Sequence, residues 1–166
     1  LPCEAVIADE SSGGKSNTQA DSATRGNGAS RIARLTASFE QQGVQIREQG
    51  QPVLFYQREP KSLDGKWRRA SYIHPVNDLQ GRVMTEDFPK DHPHHRGIFW
   101  AWHQVWVGDQ RLGDSWTCQD FDWDVRSISV NSPASPLIIE SRVHWKSPSW
   151  TVDGIRQPVV DERTRI

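Results

Sequence analysis

The chain of 166 residues has no long apolar run and no block of basic residues. A transmembrane helix needs about 20 consecutive, mostly apolar residues, so we expect no membrane span. The 20 basic and 21 acidic residues are mixed along the sequence. Because no basic face is indicated, nucleic acid is not expected as a partner.

Cysteine is scarce and helical periodicity is lacking. Cys3 and Cys118 are far apart, and Cys3 falls in a predicted leader, so neither a disulfide framework nor a zinc ribbon is indicated. Apolar residues make up 35% of the chain, which limits it to one modest core. Many short alternating runs recur at spacings of roughly ten residues. We therefore predict an all-β fold, an antiparallel sandwich or barrel.

The composition divides the chain into three parts. Residues 1–8 are interpreted as a signal-peptide remnant, because Val6 and Ala8 fit the small-residue cleavage pattern, which predicts a secreted or periplasmic protein. Residues 9–30 are rich in Ser, Gly, Asn, Thr and Ala and predict a disordered linker. Residues 31–166 predict the β-sandwich domain. Its last strand ends without a turn, so we expect a domain truncated at its C-terminus.

Turn signals and alternation predict individual strands. Gln49-Gly50 separates two alternating runs and predicts a hairpin, and Asp153-Gly154 predicts another. Residues 98–107 predict a central strand that is covered on both faces, because both sides of the alternation carry large apolar groups. Trp100, Trp102 and Trp106 share one of these faces. Such a ladder is more often core than a platform for sugar rings, although tryptophan serves in both ways.

The run Asp91-His92-Pro93-His94-His95-Arg96-Gly97 is the main candidate site and holds three of the six histidines. It closes a long segment that begins at His74. Long loops inside a compact domain are commonly functional. Pro93 favours an extended His92, which would place His92 and His94 on one side and Asp91 and His95 on the other.

One interpretation of this run is a metal site. A His-x-His pair suits a divalent transition metal such as zinc, copper, iron or nickel. A third ligand is required, for which His74 is the first candidate, followed by Glu86, Asp87 and His103. No defined motif fixes the ion or the reaction.

Two other interpretations use no metal. In the first, His74, His94 and His95 supply imidazole acid–base chemistry and Arg96 orients the substrate. Asp91 then helps to bind a small-molecule or glycan ligand, and Trp100 or Trp102 stacks on its ring. In the second, the loop is structural, and its imidazoles are bonded to carbonyl groups.

Tyr72-Ile73-His74-Pro75, the histidine-rich run and Trp100 together resemble a bacterial family labelled "methane oxygenase PmoA". The resemblance covers residues 32–166 and implies a β-sandwich of the galactose-mutarotase type with a role in extracytoplasmic sugar metabolism. The subunit behind that label spans the membrane several times, so methane oxygenation is not expected of a chain without a spanning segment. The family's shared residues fall here on His74, Asp91, His92, His94, His95, Arg96 and Trp100.

The leading expectation is a secreted or periplasmic β-sandwich that binds or processes a carbohydrate. As an enzyme it would be a sugar-active lyase, epimerase or hydrolase. A metal-dependent enzyme with ligands His74, His92 and His94 is the alternative, and a non-catalytic interaction domain stays open.

Overall fold

The structure, a computed structural model, describes residues 35–131 and 136–166. The predicted signal-peptide remnant and linker lie outside the described residues, as does Cys3. The same holds for residues 31–34 of the predicted sandwich domain and for the middle of the Ser/Pro-rich turn after Val130.

The described part of the chain contains eleven strands and no helix. Within it there is accordingly no helix able to span a bilayer. In chain order the strands are β1 (Leu35–Phe39), β2 (Gly43–Glu48), β3 (Gln51–Gln57), β4 (Lys61–Leu63), β5 (Lys66–Arg69), β6 (Tyr72–Val76), β7 (Val105–Val107), β8 (Gln110–Gly113), β9 (Asp122–Val130), β10 (Ile139–Val152) and β11 (Ile155–Arg165). They pair antiparallel in sheets of order β1-β2-β3-β6, β11-β10-β9, β4-β5 and β7-β8. The predicted all-β, antiparallel class is confirmed.

Both predicted hairpins are present. Gln49-Gly50 joins β2 to β3, and Asp153-Gly154 joins β10 to β11. All four turn residues have positive φ, from 50° at Gln49 and Asp153 to 75° and 86° at the glycines. Two-residue hairpin turns of this kind match the twist of the flanking strands and favour Gly at the second position. The residue types of the two turns were therefore sufficient to predict both connections.

The two larger sheets pack against each other through apolar side chains. Val44, Ile46 and Tyr56 of the first sheet and Ile139 of β10 belong to one buried cluster. A second cluster is centred on Trp145, which is fully buried. On β10 the buried positions alternate with more exposed ones, as expected for a strand with one face in the core. This packing is that of a sandwich-like fold.

The predicted central strand at residues 98–107 is wrong. Only β7 is a strand there, while Ile98 forms an isolated bridge with Ile73. Between them the backbone forms a hydrogen bond with a side chain instead of a neighbouring strand, since Trp102 N donates to Ser115 Oγ at 2.8 Å. Gln104 has a φ of 57°, which interrupts an extended chain. The segment is therefore an irregular surface stretch.

Candidate functional site

His92, Pro93, His94 and His95 form a tight turn, which we call the histidine turn. His95 N donates to His92 O at 2.8 Å, and Pro93 occupies the second position. The chain, expected to stay extended from His92 to His94, turns at Pro93 and His94 instead. The fixed φ of proline suits the second position of a β-turn as well as an extended chain.

The turn brings three imidazole rings together into what we call the histidine cluster. The rings of His92 and His95 are stacked with centroids 4.9 Å apart. His94 lies 4.5 Å from His95 and 6.0 Å from His92. His95 was predicted to face away from the other two, and the turn instead folds it onto them.

Trp116 adds an indole to this cluster, at 5.8 Å from His95 and 6.2 Å from His94. It also lies 5.5 Å from Phe99. No local sequence signal connects Trp116 to the histidines, because it follows β8 more than twenty positions later. Sequence patterns therefore missed it.

The electrostatics of the cluster favour a neutral His94. Burial, followed by the charges of His95 and His92, lowers the pKa of His94 below its ordinary value. Asp91 lies at the exposed edge, with Oδ2 3.0 Å from His92 Nδ1. The hydrogen bond from His92 lowers the pKa of Asp91. A neutral imidazole such as that of His94 is able to accept a proton.

The histidines predicted as metal ligands do not form a ligand set in this arrangement. His74 Nδ1 lies 2.9 Å from Thr85 Oγ1, to which it is hydrogen-bonded. Within residues 35–131 and 136–166, no group of three or more His, Cys, Asp or Glu side chains is placed to hold a metal ion. His74 is thus not brought together with His92 and His94 as a metal-binding group, and the metal site stays a prediction.

Arg96, predicted to orient a substrate, is buried beneath the histidine turn. Its Nη1 donates to His94 O at 3.3 Å, and its Nη2 donates to Ser115 O at the same distance. The guanidinium carbon lies 3.9 Å from the centroid of the Phe99 ring. Burial lowers the pKa of Arg96 to about 10, so the group is still charged at neutral pH. Arg96 therefore links the histidine turn to the loop that contains Ser115.

Arg69 is a second buried arginine under the turn, and sequence patterns gave no sign of it. Its guanidinium donates to Pro93 O at 2.7 Å and to His95 O at 3.1 Å. It forms an ion pair with the buried Asp87, which also accepts hydrogen bonds from Lys61 at 2.7 Å and Tyr72 at 2.9 Å. This network fixes the position of the histidine turn.

A groove of about 720 Å³ lies beside residues 98–102, and we call it the tryptophan groove. Trp100 and Trp102 line it with 66% and 54% of their surface exposed, which contradicts the core position favoured for this ladder. Trp145 lies behind Trp102, with ring centroids 5.0 Å apart. No histidine is among the described residues that line the groove.

The groove wall also carries a fixed carboxylate, Glu162. Trp145 Nε1 donates to its Oε2 at 2.7 Å, and Thr164 Oγ1 donates to its Oε1 at 2.5 Å. Tyr56 and Ser71 add two hydroxyl groups that are 3.0 Å apart. The groove therefore combines indole rings with hydrogen-bonding groups.

Comparisons with known proteins give one match. A family model described as "Family of unknown function (DUF6807)" matches residues 43–166. No curated protein and no solved structure matches the chain.

Proposed function

The chain belongs to DUF6807, a family of unknown function, and we propose that it binds a carbohydrate in the tryptophan groove. The observation that carries this proposal is the exposure of Trp100 and Trp102 along one groove. Exposed indoles are costly to hydrate, and a ligand that covers them recovers that free energy.

The flat faces of the two indoles suit the apolar faces of sugar rings. Tryptophan combines a large apolar surface with few rotatable bonds, so little conformational entropy is lost when a ring stacks on it. The groove volume of about 720 Å³ lies within the range of about 300–1,000 Å³ that is common for small-ligand sites.

Glu162 supplies the polar part of the recognition. A carboxylate has about four lone-pair sites, and Trp145 and Thr164 occupy two of them. The remaining sites are suited to the hydroxyl donors of a sugar. Since the two protein donors fix the carboxylate before a ligand arrives, little ordering is required on binding.

A carbohydrate ligand is also what the resemblance to mutarotase-type sandwiches implies, and that relationship is part of the proposal. The histidine cluster does not line the groove, so binding is proposed without a catalytic role for His94 or His95.

The test is the binding of a glycan panel to the full chain, followed by calorimetry on the best ligand. We expect Trp100→Ala to weaken binding by about tenfold, which corresponds to about 1.4 kcal/mol. Trp106→Ala is the matched control, because Trp106 is 52% exposed but does not line the groove. The proposal is wrong if no glycan binds, or if Trp106→Ala weakens binding as much as Trp100→Ala does.

A further inference from the structure

His103 and Asp114 form a close pair outside both the groove lining and the histidine cluster. His103 Nδ1 lies 2.6 Å from Asp114 Oδ2. The His103 side chain is 69% exposed, whereas that of Asp114 is only 4% exposed. A buried carboxylate thus holds an imidazole that is mostly exposed to solvent.

Asp114 is fixed independently of His103. Its Oδ1 accepts a hydrogen bond from Thr117 N at 3.0 Å, and its backbone forms two 2.8 Å hydrogen bonds with Gln119. Burial favours a higher pKa for Asp114, but the hydrogen bonds from Thr117 and the charge of His103 outweigh it and lower the pKa. The carboxylate is therefore ionised at neutral pH, and its free oxygen is available to His103.

The ionised carboxylate determines which nitrogen of His103 carries the proton. Asp114 Oδ2 can only accept a hydrogen bond, so a neutral His103 donates from Nδ1 and keeps a lone pair on Nε2. The tautomer that Asp114 selects leaves Nε2 free to take a proton from a water molecule.

The neighbouring residues hold both members of the pair. Ser115 Oγ accepts from Trp102 N at 2.8 Å and donates to Trp102 O at 3.0 Å, so the residues before His103 and after Asp114 are tied together. Gln104 and Gly113, on the other sides, have φ of 57° and 147°. Left-handed backbone at non-glycine residues such as Gln104 is concentrated at functional sites.

We propose that His103, positioned by Asp114, is a general base that activates water for the hydrolysis of carboxylic esters. Nε2 takes a proton from water as the water oxygen bonds to the ester carbonyl carbon and the π electron pair of the C=O bond moves onto the carbonyl oxygen. That pair then re-forms the C=O bond while the bond from the carbon to the alcohol oxygen breaks with its electron pair, and the alcohol oxygen takes the proton from Nε2. An acid and an alcohol leave, and the pair returns to its starting state.

Carboxylic esters are the substrate class that this pair suits. Glycoside hydrolysis generally requires two carboxyl groups on opposite sides of the bond, whereas this pair holds one. Ester hydrolysis by water is accelerated by a single positioned general base. Ser115 is not the nucleophile here, because its hydroxyl is buried and bonded to the Trp102 backbone.

The test is the hydrolysis of 4-nitrophenyl acetate by the full chain. A general base typically contributes about 10²–10⁴-fold to the rate, so we expect His103→Gln to lower kcat/KM by about 100-fold. His103 is exposed, so this change should leave the fold intact, which circular dichroism checks. His144→Gln is the matched control on β10 and should keep the wild-type rate.

Asp114→Asn tests the positioning role. We expect a lower rate together with a shift of the His103 proton from Nδ1 to Nε2, visible in the nitrogen chemical shifts of the ring. Wild-type hydrolysis by His103→Gln, or an equal loss in His144→Gln, overturns the proposed role of His103. Because 4-nitrophenyl acetate contains no sugar, the outcome of this assay does not depend on whether the protein binds glycans.

Discussion

The Asp87 carboxylate supports the histidine turn through Arg69. The carboxylate is 4% exposed and pairs with the Arg69 guanidinium, which is fully buried. Arg69 in turn lies 3.3 Å above the Phe88 ring and donates to two carbonyl groups of the turn. The buried charge of Arg69 is tolerated because Asp87 neutralises it and the carbonyl groups of Pro93 and His95 accept its hydrogen bonds.

Asp87→Asn is therefore expected to be strongly destabilising. Removal of one charge from a buried pair leaves the other uncompensated, at a cost of about 3 kcal/mol. Chemical denaturation measures the change in unfolding free energy. Asp122→Asn is the control, because its partners Arg68 and Arg156 are about half exposed, and exposed pairs contribute less than about 1 kcal/mol. Equal losses in the two variants would show that the buried network is not what stabilises the turn.

At the scale of elements, the segment from Glu86 to Gly97 forms a short irregular hairpin that carries the histidine turn at its tip. The backbones of Asp87 and Arg96 form an isolated antiparallel β-bridge, and Gly97 N donates to Glu86 O at 2.9 Å. Gly97 then places the chain directly against β6. A Cβ at this position would lie 2.0 Å from Ile73 O, and the φ of Gly97 is 55°. Only glycine allows both the conformation and the close approach.

Gly97→Ala is expected to destabilise the protein by more than the conformational cost alone. An alanine at positive φ costs roughly 1–2 kcal/mol, and at Gly97 the clash with the β6 backbone is added. Gly108→Ala separates the two effects, because Gly108 has a φ of 57° but has no atom within 4 Å of a built Cβ. Thermal or urea unfolding of both variants gives the comparison. The close approach would be refuted by equal losses of stability.

At the scale of the whole molecule, several side chains change their proton affinity on folding. Burial is the largest cause of the lowered pKa values of His74 and His94. The network around Asp87 lowers the pKa of its carboxyl despite burial, which acts in the opposite direction. All three shifts make the folded state bind protons less readily than the unfolded state.

The free energy of unfolding is therefore expected to decrease in two stages as the pH is lowered. Below the ordinary histidine pKa of about 6.5, the unfolded chain takes up protons first, so unfolding is favoured as the pH decreases. Below about pH 4 the stabilisation from Asp87 is lost in the same way. Urea denaturation at several pH values measures both stages. Replacement of His74 and His94 by Gln should flatten the first stage, and an unchanged slope would contradict its assignment to these two residues.

The sequence by itself determined the all-β class and both hairpins, and it singled out the histidine-rich run as a candidate site. These features depend on local chemistry: alternation along a strand, Gly at positive φ in Gln49-Gly50 and Asp153-Gly154, and the concentration of imidazoles around Pro93. Each is expressed within a few consecutive residues, so a pattern is able to show it.

Only the tertiary structure decided which distant residues meet. Arg69 lies under the turn, Trp116 lies against His95, and His103 pairs with Asp114 because packing and irregular loops bring separate segments together. The same packing buried Arg96, predicted to face a ligand, and exposed Trp100, favoured for the core. Periodicity describes which side of a strand a residue occupies, and it fails where the backbone leaves the strand, as it does between Ile98 and Val105.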